Sequence, residues 1–510
     1  MSRNRNPRPP KQGSAAVTAL LVILLLILIG LCGLMIYLCT TVVNQGTVPG
    51  AQTQRPDTGM QQLQSEPAAI PEPTETEPPE TTMPEPEHVV STATVSVTGD
   101  LLMHAPLYQS QYNAECYNGG EYDFSSIFKY AKEYTEAYDY TIANLETTLY
   151  GTEKPFLGYP AFNTPDQIVD GAKGAGFDML LTVNNHSNDT GFKGITRTLE
   201  VVRDRGLQTL GTNLTEEEDK YYIADLNGIK IGMLCYSYDD SKNPSIKSLN
   251  GNQVASQGTN LVCTFPLFQE SKDRGVFYED VKNQIAEMRS QGAEAIVIYL
   301  HWGIEYRLQP TADQMDIAQK LCDLGVDLIV GGHPHVVEPV ELLTSTVDPG
   351  HKTVCLYSLG NAVSNQRLGN LSTVPTAHTE DGMLFNYTFE KYSDGTVYLS
   401  GVEVLPTWVN MYTNANNKRE YNILPLDDSR REEWMQMYDL TETSLKKATD
   451  SYDRTMEIVG AGLAASNEYL AQQKQERDAN YLAMVQPGYV APTEAPETIP
   501  TEKAVTEAAA

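Results

Sequence analysis

The sequence predicts an α/β protein in which strands alternate with helices, and three observations carry the prediction. Short apolar runs of strand length recur along the chain. Helix-length segments separate most of them. Each run ends in a small cluster of polar or glycine residues. Strands alternating with helices imply a sheet covered on both faces.

Taken in order, Thr94–Val97 runs into Thr98-Gly99-Asp100, and Tyr140–Ala143 into Asn144-Leu145-Glu146. Met179–Val183 runs into Asn184-Asn185-His186, and Ala295–Leu300 into His301-Trp302-Gly303. Asp327–Val330 leads to Gly331-Gly332-His333-Pro334-His335, and Val354–Tyr357 to Ser358-Leu359-Gly360-Asn361. Helices are expected at Ser125–Tyr138, Pro165–Gly174, Ile195–Arg205, Val281–Gln291 and Ala312–Leu324. Tyr221–Tyr238 reads as a hairpin turned at Asn227-Gly228, a strong local signal for a tight turn. More β sequence follows at Met383–Glu390 and Thr396–Leu405, then helical sequence at Glu432–Gly460 and Leu463–Ala479. These bounds give a folded domain over 89–410 and a mainly helical region over 411–485.

The flanks are of another kind. From Ala15 to Cys39 there is no charged residue, and a membrane span needs roughly 20 apolar residues. Residues 15–39 are therefore expected to form one transmembrane helix. A cleaved signal peptide would have a shorter apolar core of about 7–15 residues followed by a small-residue cleavage site. A lipoprotein site at Cys32 would be preceded by Leu31, a poor residue there. Arg3, Arg5, Arg8 and Lys11 precede the span, and the next basic residue is Arg55. The positive-inside rule then makes 1–14 a cytoplasmic stub of a single-pass cell-membrane protein and leaves the main domain extracellular. Residues 40–88 form a Pro/Glu/Thr-rich spacer that can bury almost nothing, and 486–510 repeat that composition; both are expected to be disordered.

A formal net charge of −30 argues against nucleic acid as a partner and gives no long-range pull on a polyanion. An anionic polymer or phosphoester substrate would need a local site. Seven cysteines include Cys32 and Cys39 in or beside the span, leaving five outside with no CxxC pair. That is no disulfide framework, and a thiolate metal site is not expected.

The informative fact is where the polar residues fall. Asp100, Asn144, Glu146, Asn185, His186, His301, His333 and His335 directly follow apolar strands, and loops beyond strand C-termini line the ligand crevice of α/β sheets. Each has a structural alternative: a cap or turn for Asp100 and Asn144-Leu145-Glu146, an Asx turn for Asn184-Asn185-His186, a core histidine for His301. Together they form a donor set of imidazole, carboxylate and amide oxygen suited to one or two divalent transition metals, Zn, Mn or Fe. His333-Pro334-His335 is expected to be an extended loop with both imidazoles on one side. Two such metals about 3.5–4 Å apart can clamp a phosphoryl group.

With these residues laid out, the sequence resembles the bacterial CapA family, named for poly-γ-glutamate capsule synthesis. The matching stretches are TGDLLMH (98–104), NLETTL (144–149), NNHSNDTG (184–191), YLHWGIEY (299–306), GGHPHVVEPVE (331–341) and YSLGNAVSNQ (357–366). They span a core of about 92–366 within the 89–410 domain. That family is similar in turn to calcineurin-like metallophosphoesterases, so the resemblance implies a layered α/β domain with two β-sheets. It implies Asp100 as the first-strand metal ligand, the Asn144–Glu146 stretch at the bridging position, and Asn185 as the amide ligand. His301 and His333 would hold the second metal and His335 the first, with His186 as the catalytic histidine. Two departures stand out. Leu102 occupies the place of an expected histidine, with His104 two residues further on, and Asn144 or Glu146 replaces the bridging aspartate. The resemblance implies a role in capsule or poly-γ-glutamate synthesis or export beside a membrane polymer synthase. The alternative is a free-standing extracellular metal-dependent hydrolase of phosphoester or amide-linked polymer.

Overall fold

The computed structural model describes residues 88–113, 121–243, 245–267, 274–371 and 376–485, with side chains through residue 477. The expected stub, membrane span, tail and all of the spacer except its last residue lie outside that set. Among the described residues no helix is long and apolar enough to cross a membrane.

Fifteen strands build two large sheets. They are β1 (Val89–Leu101), β2 (Tyr140–Asn144), β3 (Met179–Leu181), β4 (Gln208–Leu210), β5 (Tyr221–Leu226), β6 (Ile229–Asp239), β7 (Thr264–Pro266) and β8 (Ala295–His301). The rest are β9 (Leu328–Gly332), β10 (Val340–Thr344), β11 (Lys352–Leu356), β12 (Asn361–Val363), β13 (Asp381–Tyr392), β14 (Val397–Thr413) and β15 (Arg419–Pro425). The first sheet runs β15-β14-β13-β1-β2-β3-β4, with β12 also paired to β1. The second runs β7-β6-β8-β9-β11-β10, with β5 on β6. β1 through β4 are parallel neighbours, as are β6, β8, β9 and β11.

Side-chain alternation explains the layering. Ala295, Val297 and Tyr299 on β8 join Val95 and Val97 on β1 in a core between the two sheets. Ile296, Ile298 and Leu300 point the other way, onto helices α3 (Arg274–Ser290) and α4 (Ala312–Asp323), through Phe277, Val281, Ile317 and Leu321. The outer face of the first sheet is covered by α1 (Gln167–Gly174) and α2 (Phe192–Asp204) through Ile168, Val169, Val201 and Val202. The order is therefore helix, sheet, sheet, helix. The hydroxyls of Tyr299 and Tyr387 meet at 2.7 Å, linking one sheet to the other.

Three expectations change. The segment expected as a helix over 125–138 is two short turns, Ser125–Phe128 and Lys132–Thr135, because Ile127 and Phe128 are drawn into the outer core. The helices expected at 432–460 and 463–479 are one helix, α5 (Glu442–Val485), preceded by short turns. The boundary at 410 falls inside β14, and the strand β15 follows it, paired antiparallel to β14. All described residues form one compact unit.

α5 fastens both sheets. Its Gly462 lies so close to β10 that a Cβ would stand 1.7 Å from Val340 O. Asn467 Nδ2 donates to Val402 O (2.8 Å) while its Oδ1 accepts from Val402 N–H (3.1 Å), replacing a strand partner on β14. Arg454 grips Asp381 at the start of β13 with two hydrogen bonds of 2.7 and 2.6 Å.

Candidate metal centre

A one-residue bulge brings the first sheet's polar ends into the space between the sheets. Thr98 pairs with Ala143 and Asp100 with Asn144, so Gly99 is the extra residue. Ala93, Val95 and Val97 face the inter-sheet core, and without the bulge Asp100 would face the helices. Only glycine fits here, because a Cβ at position 99 would stand 1.8 Å from Gly360 O. Opposite, His301 continues the inward set of 295, 297 and 299 as the last residue of β8. Gly332 ends β9, and a Cβ there would lie 3.4 Å from Asp100 Oδ1.

His333-Pro334-His335 is not extended. His333 and His335 have φ of 98° and 57°, a region costly for residues with a Cβ, and such strain clusters at functional sites. The reversal is pinned by Tyr306 N–H, which donates to Pro334 O at 2.7 Å.

All eight candidates are buried. His301 Nε2 lies 3.0 Å from Asn185 Oδ1, 3.2 Å from His333 Nδ1 and 3.7 Å from Glu146 Oε1. His335 Nε2 lies 3.8 Å from the same Glu146 oxygen. Asp100 Oδ2 is 3.2 Å from His335 Nδ1, and Asp100 Oδ1 accepts from Asn144 Nδ2 at 2.7 Å. Asn144 Oδ1 in turn accepts from Asn184 Nδ2 at 3.1 Å. Of the two residues that could replace a bridging aspartate, Asn144 is thus engaged at both ends of its amide. Glu146 is the carboxylate shared by two groups of close donors, Glu146–His301–His333 and Asp100–Glu146–His335. His186 stands beside this cluster with Nδ1 2.8 Å from Asp189 Oδ2.

The residues fit a divalent cation. Glu146 is fully buried and neither of its oxygens has a hydrogen-bond partner. A bare buried carboxylate costs several kcal/mol unless a charge offsets it. Burial and then the neighbouring Asp100 carboxylate push Glu146 well above the ordinary carboxylate range. Burial, then the adjacent imidazoles, hold His301 and His333 well below the usual histidine value. Burial opposes protonation of His335, but the hydrogen bond and charge of Asp100 prevail and raise it. A neutral imidazole pair beside an uncompensated carboxylate is a donor set for a cation.

Several participants escaped sequence reasoning. Asn361 Oδ1 lies 3.1 Å from His335 Nδ1; its signals were its place at a strand end and within the matching stretch 357–366. Asp189 follows His186 by three residues and also accepts from Phe162 N–H at 2.7 Å. The Phe162 ring packs edge-on against His186, with centroids 4.7 Å apart. Tyr238 lies against the rings of His301 and His333, with centroids at 6.3 and 4.9 Å.

Fold and site together define an α/β sandwich protein with a buried histidine–carboxylate centre compatible with a divalent metal. The chain belongs to the bacterial capsule synthesis protein PGA_cap family, whose model matches residues 94–366. It is 26% identical over 283 residues to "PGA biosynthesis protein CapA" of Bacillus subtilis (strain 168), covering 55% of this chain and 65% of that protein, just under two thirds. It is 24% identical over 369 residues to "Capsule biosynthesis protein CapA" of Bacillus anthracis, covering 69% of this chain and 77% of that one. Among solved structures, "Termus thermophilus Sulfate thiohydrolase SoxB in complex with glycerol" aligns with a TM-score of 0.34 and 13% identity, over 72% of this chain and 60% of that one.

Proposed function

We propose that this chain serves capsule or poly-γ-glutamate biosynthesis as a membrane-anchored extracellular protein with a metallophosphoesterase-type metal centre. The observation that carries the metal centre is Glu146, a fully buried carboxylate with both oxygens unpaired among three imidazoles. Family membership and the names of its relatives support the polymer role. The apolar run at 15–39, preceded by basic residues, supports the anchor and its orientation. A polymer synthase or export complex in the same membrane is the partner this placement suits.

Glu146 with His301 and His333, and Glu146 with Asp100 and His335, would hold the metal, with Asn185 beside His301. A divalent cation supplies Lewis acidity toward a carbonyl or phosphoryl oxygen. His186 keeps its Nδ1 against the Asp189 carboxylate, which fixes the ring and leaves Nε2 to take or give a proton. Phe162 closes one side of that ring, and its backbone N–H helps hold Asp189. The His186–Asp189 pair is the specific observation favouring a second reading, hydrolysis of a phosphoester or amide-linked polymer by a free-standing enzyme.

The test compares polymer output in cells carrying the wild type, His301→Ala and His186→Ala. The proposed role requires His301→Ala to lower output. Hydrolysis additionally requires His186→Ala to abolish product formation while leaving metal content intact. Full output from folded His301→Ala would show the centre to be dispensable for the polymer role. Protease added to intact protoplasts should remove the domain beyond residue 88; its full protection would reverse the orientation.

A further inference from the structure

One side chain holds His335 at two points. Asn361 Oδ1 lies 3.1 Å from His335 Nδ1, and Asn361 Nδ2 donates to His335 O at 3.2 Å. A side chain that bonds both the ring and the carbonyl of one residue fixes the rotation of that ring about its own backbone. The Asn361 amide cannot be turned around, because Nδ2 also faces Thr379 O (3.1 Å) and Gln366 Oε1 (3.3 Å), and an oxygen in its place would meet acceptors only. His335 Nδ1 thus stands between two acceptors, Asn361 Oδ1 and, at 3.2 Å, Asp100 Oδ2, and carries the hydrogen. Nε2 is the nitrogen left to face Glu146 Oε1, 3.8 Å away.

Asn361 is itself held rigidly. It is fully buried, and its backbone is pressed against the start of β13: a Cβ on Gly382 would stand 2.2 Å from Asn361 O, and one on Gly360 2.6 Å from Asp381 O. Asp381 is gripped from α5 by Arg454 and by Ser451 Oγ, the latter at 2.6 Å. Gln366, which accepts from Asn361, donates in turn to Tyr306 OH at 3.1 Å, and Tyr306 N–H pins Pro334 O. These bonds close a circuit around the His335 ring. Asp100 is placed differently. It belongs with Glu146 and His335 to one group of close donors, so a cation there draws its carboxylate, and Asn361 is the acceptor that stays on Nδ1.

We infer that Asn361 is a positioning residue that fixes the His335 ring and keeps its hydrogen on Nδ1, so that Nε2 presents its lone pair to a cation shared with Asp100 and Glu146. This rests on the metal reading proposed above and adds how one of its imidazoles is aimed. Metal-binding imidazoles give their other N–H to a carboxylate, carbonyl oxygen or water, and loss of that partner typically costs about 10–100-fold in affinity.

The first arm of the test needs no metal. In the metal-free full chain, labelled with ¹⁵N-histidine and held at alkaline pH where the ring is neutral, nuclear magnetic resonance reads which nitrogen of His335 holds the hydrogen. The signal is assigned by its loss in His335→Gln. The expected site is Nδ1, and hydrogen on Nε2 would overturn the inference. Asp100→Ala should leave it on Nδ1, because Asn361 remains; transfer to Nε2 would give the role to Asp100 and overturn the inference as well. Adding Asn361→Leu to Asp100→Ala should release the hydrogen to Nε2. The second arm reads Mn²⁺ affinity by equilibrium dialysis. Asn361→Leu should lower it about 10–100-fold, and Asn361→Asp, which still offers an oxygen to the Nδ1 hydrogen, should lose less. Unchanged affinity in folded Asn361→Leu would overturn the positioning role while leaving the metal reading intact. If Asn361→Leu does not fold, the wild-type and Asp100→Ala spectra decide. A wild type that binds none of Mn²⁺, Zn²⁺ and Fe²⁺ would overturn the metal reading, and the place of the His335 hydrogen would still be decided by its spectrum.

Discussion

The first sheet brings Asp100 and Asn144 to the centre hydrogen-bonded to each other, whereas the second brings His301 at the end of β8 and His333 and His335 in the loop after β9. The difference lies in what each strand end does next. β1 and β2 are in-register neighbours, so the bulge at Gly99 sets Asp100 beside Asn144 and the two hydrogen-bond at 2.7 Å. β8 and β9 are also neighbours, but β9 ends in Gly332 and the chain then reverses through two residues with positive φ. That reversal holds imidazoles together where side chains of regular strands would diverge. One end thus supplies a hydrogen-bonded carboxylate and the other a cluster of imidazoles, with Glu146 shared by both groups of donors. Local strain and an unpaired carboxylate are features a protein keeps for function rather than stability.

The sharpest break of that comparison is His301→Ala. It removes the imidazole that touches Asn185, His333 and Glu146 at once. Metal affinity should fall by more than the roughly 10–100-fold typical of outer-shell changes, as measured by competition with a chelating dye. An unchanged affinity would move the donor set away from the second sheet.

The next effect strikes the bulge before Asp100. Gly99→Ala would force a Cβ to within 1.8 Å of a backbone oxygen, and the expected loss is about 3 kcal/mol or more in denaturant unfolding. Asn467→Ala, far from the centre, breaks two hydrogen bonds to Val402. It should cost only about 1–2 kcal/mol and leave metal affinity unchanged.

The smallest effect has an unusual sign. The Glu146 carboxyl is raised above its ordinary value of 4.5 in the folded protein. The folded state therefore keeps a proton that the unfolded state has released. That contribution to stability is fully present below the ordinary value and is lost as pH rises through the folded value. Glu146→Gln cannot ionise and escapes the loss. In the presence of chelator it should melt above the wild type by a few degrees, about 1 kcal/mol, with a gap that widens as pH increases from about 4.5. A gap that narrows with pH would show that Glu146 is compensated without metal.

Much of this was legible in the sequence because strand ends are marked by composition. Asp100, Asn144, Glu146, Asn185, His186, His301, His333 and His335 were all found from apolar runs giving way to polar residues, and they do cluster. The hairpin at Asn227-Gly228 was readable because its turn chemistry is local, and both residues have positive φ. The bulge at Gly99 was not, since what forbids a side chain there is Gly360, more than 250 residues away in sequence. Nor was the role of Asn361, which depends on acceptors from three other segments. β15 was hidden because a seven-residue strand beside mostly polar helical sequence has little periodicity of its own; its partner β14 defines it. The two expected helices parted at Gly460-Ala461-Gly462, and the close approach of Gly462 to Val340 O and the bonds of Asn467 to Val402 are tertiary reasons for glycine within one continuous helix.

The claim that Glu146 and its histidines hold a metal is tested most directly by elemental analysis of the purified full chain beside its Glu146→Gln variant. Gln keeps the size of the side chain and removes the charge that a cation must balance. The account predicts a divalent transition metal in the wild type and its loss from the folded variant. Equal metal content in the two proteins, or none in the wild type after reconstitution with Zn²⁺, Mn²⁺ or Fe²⁺, would contradict it.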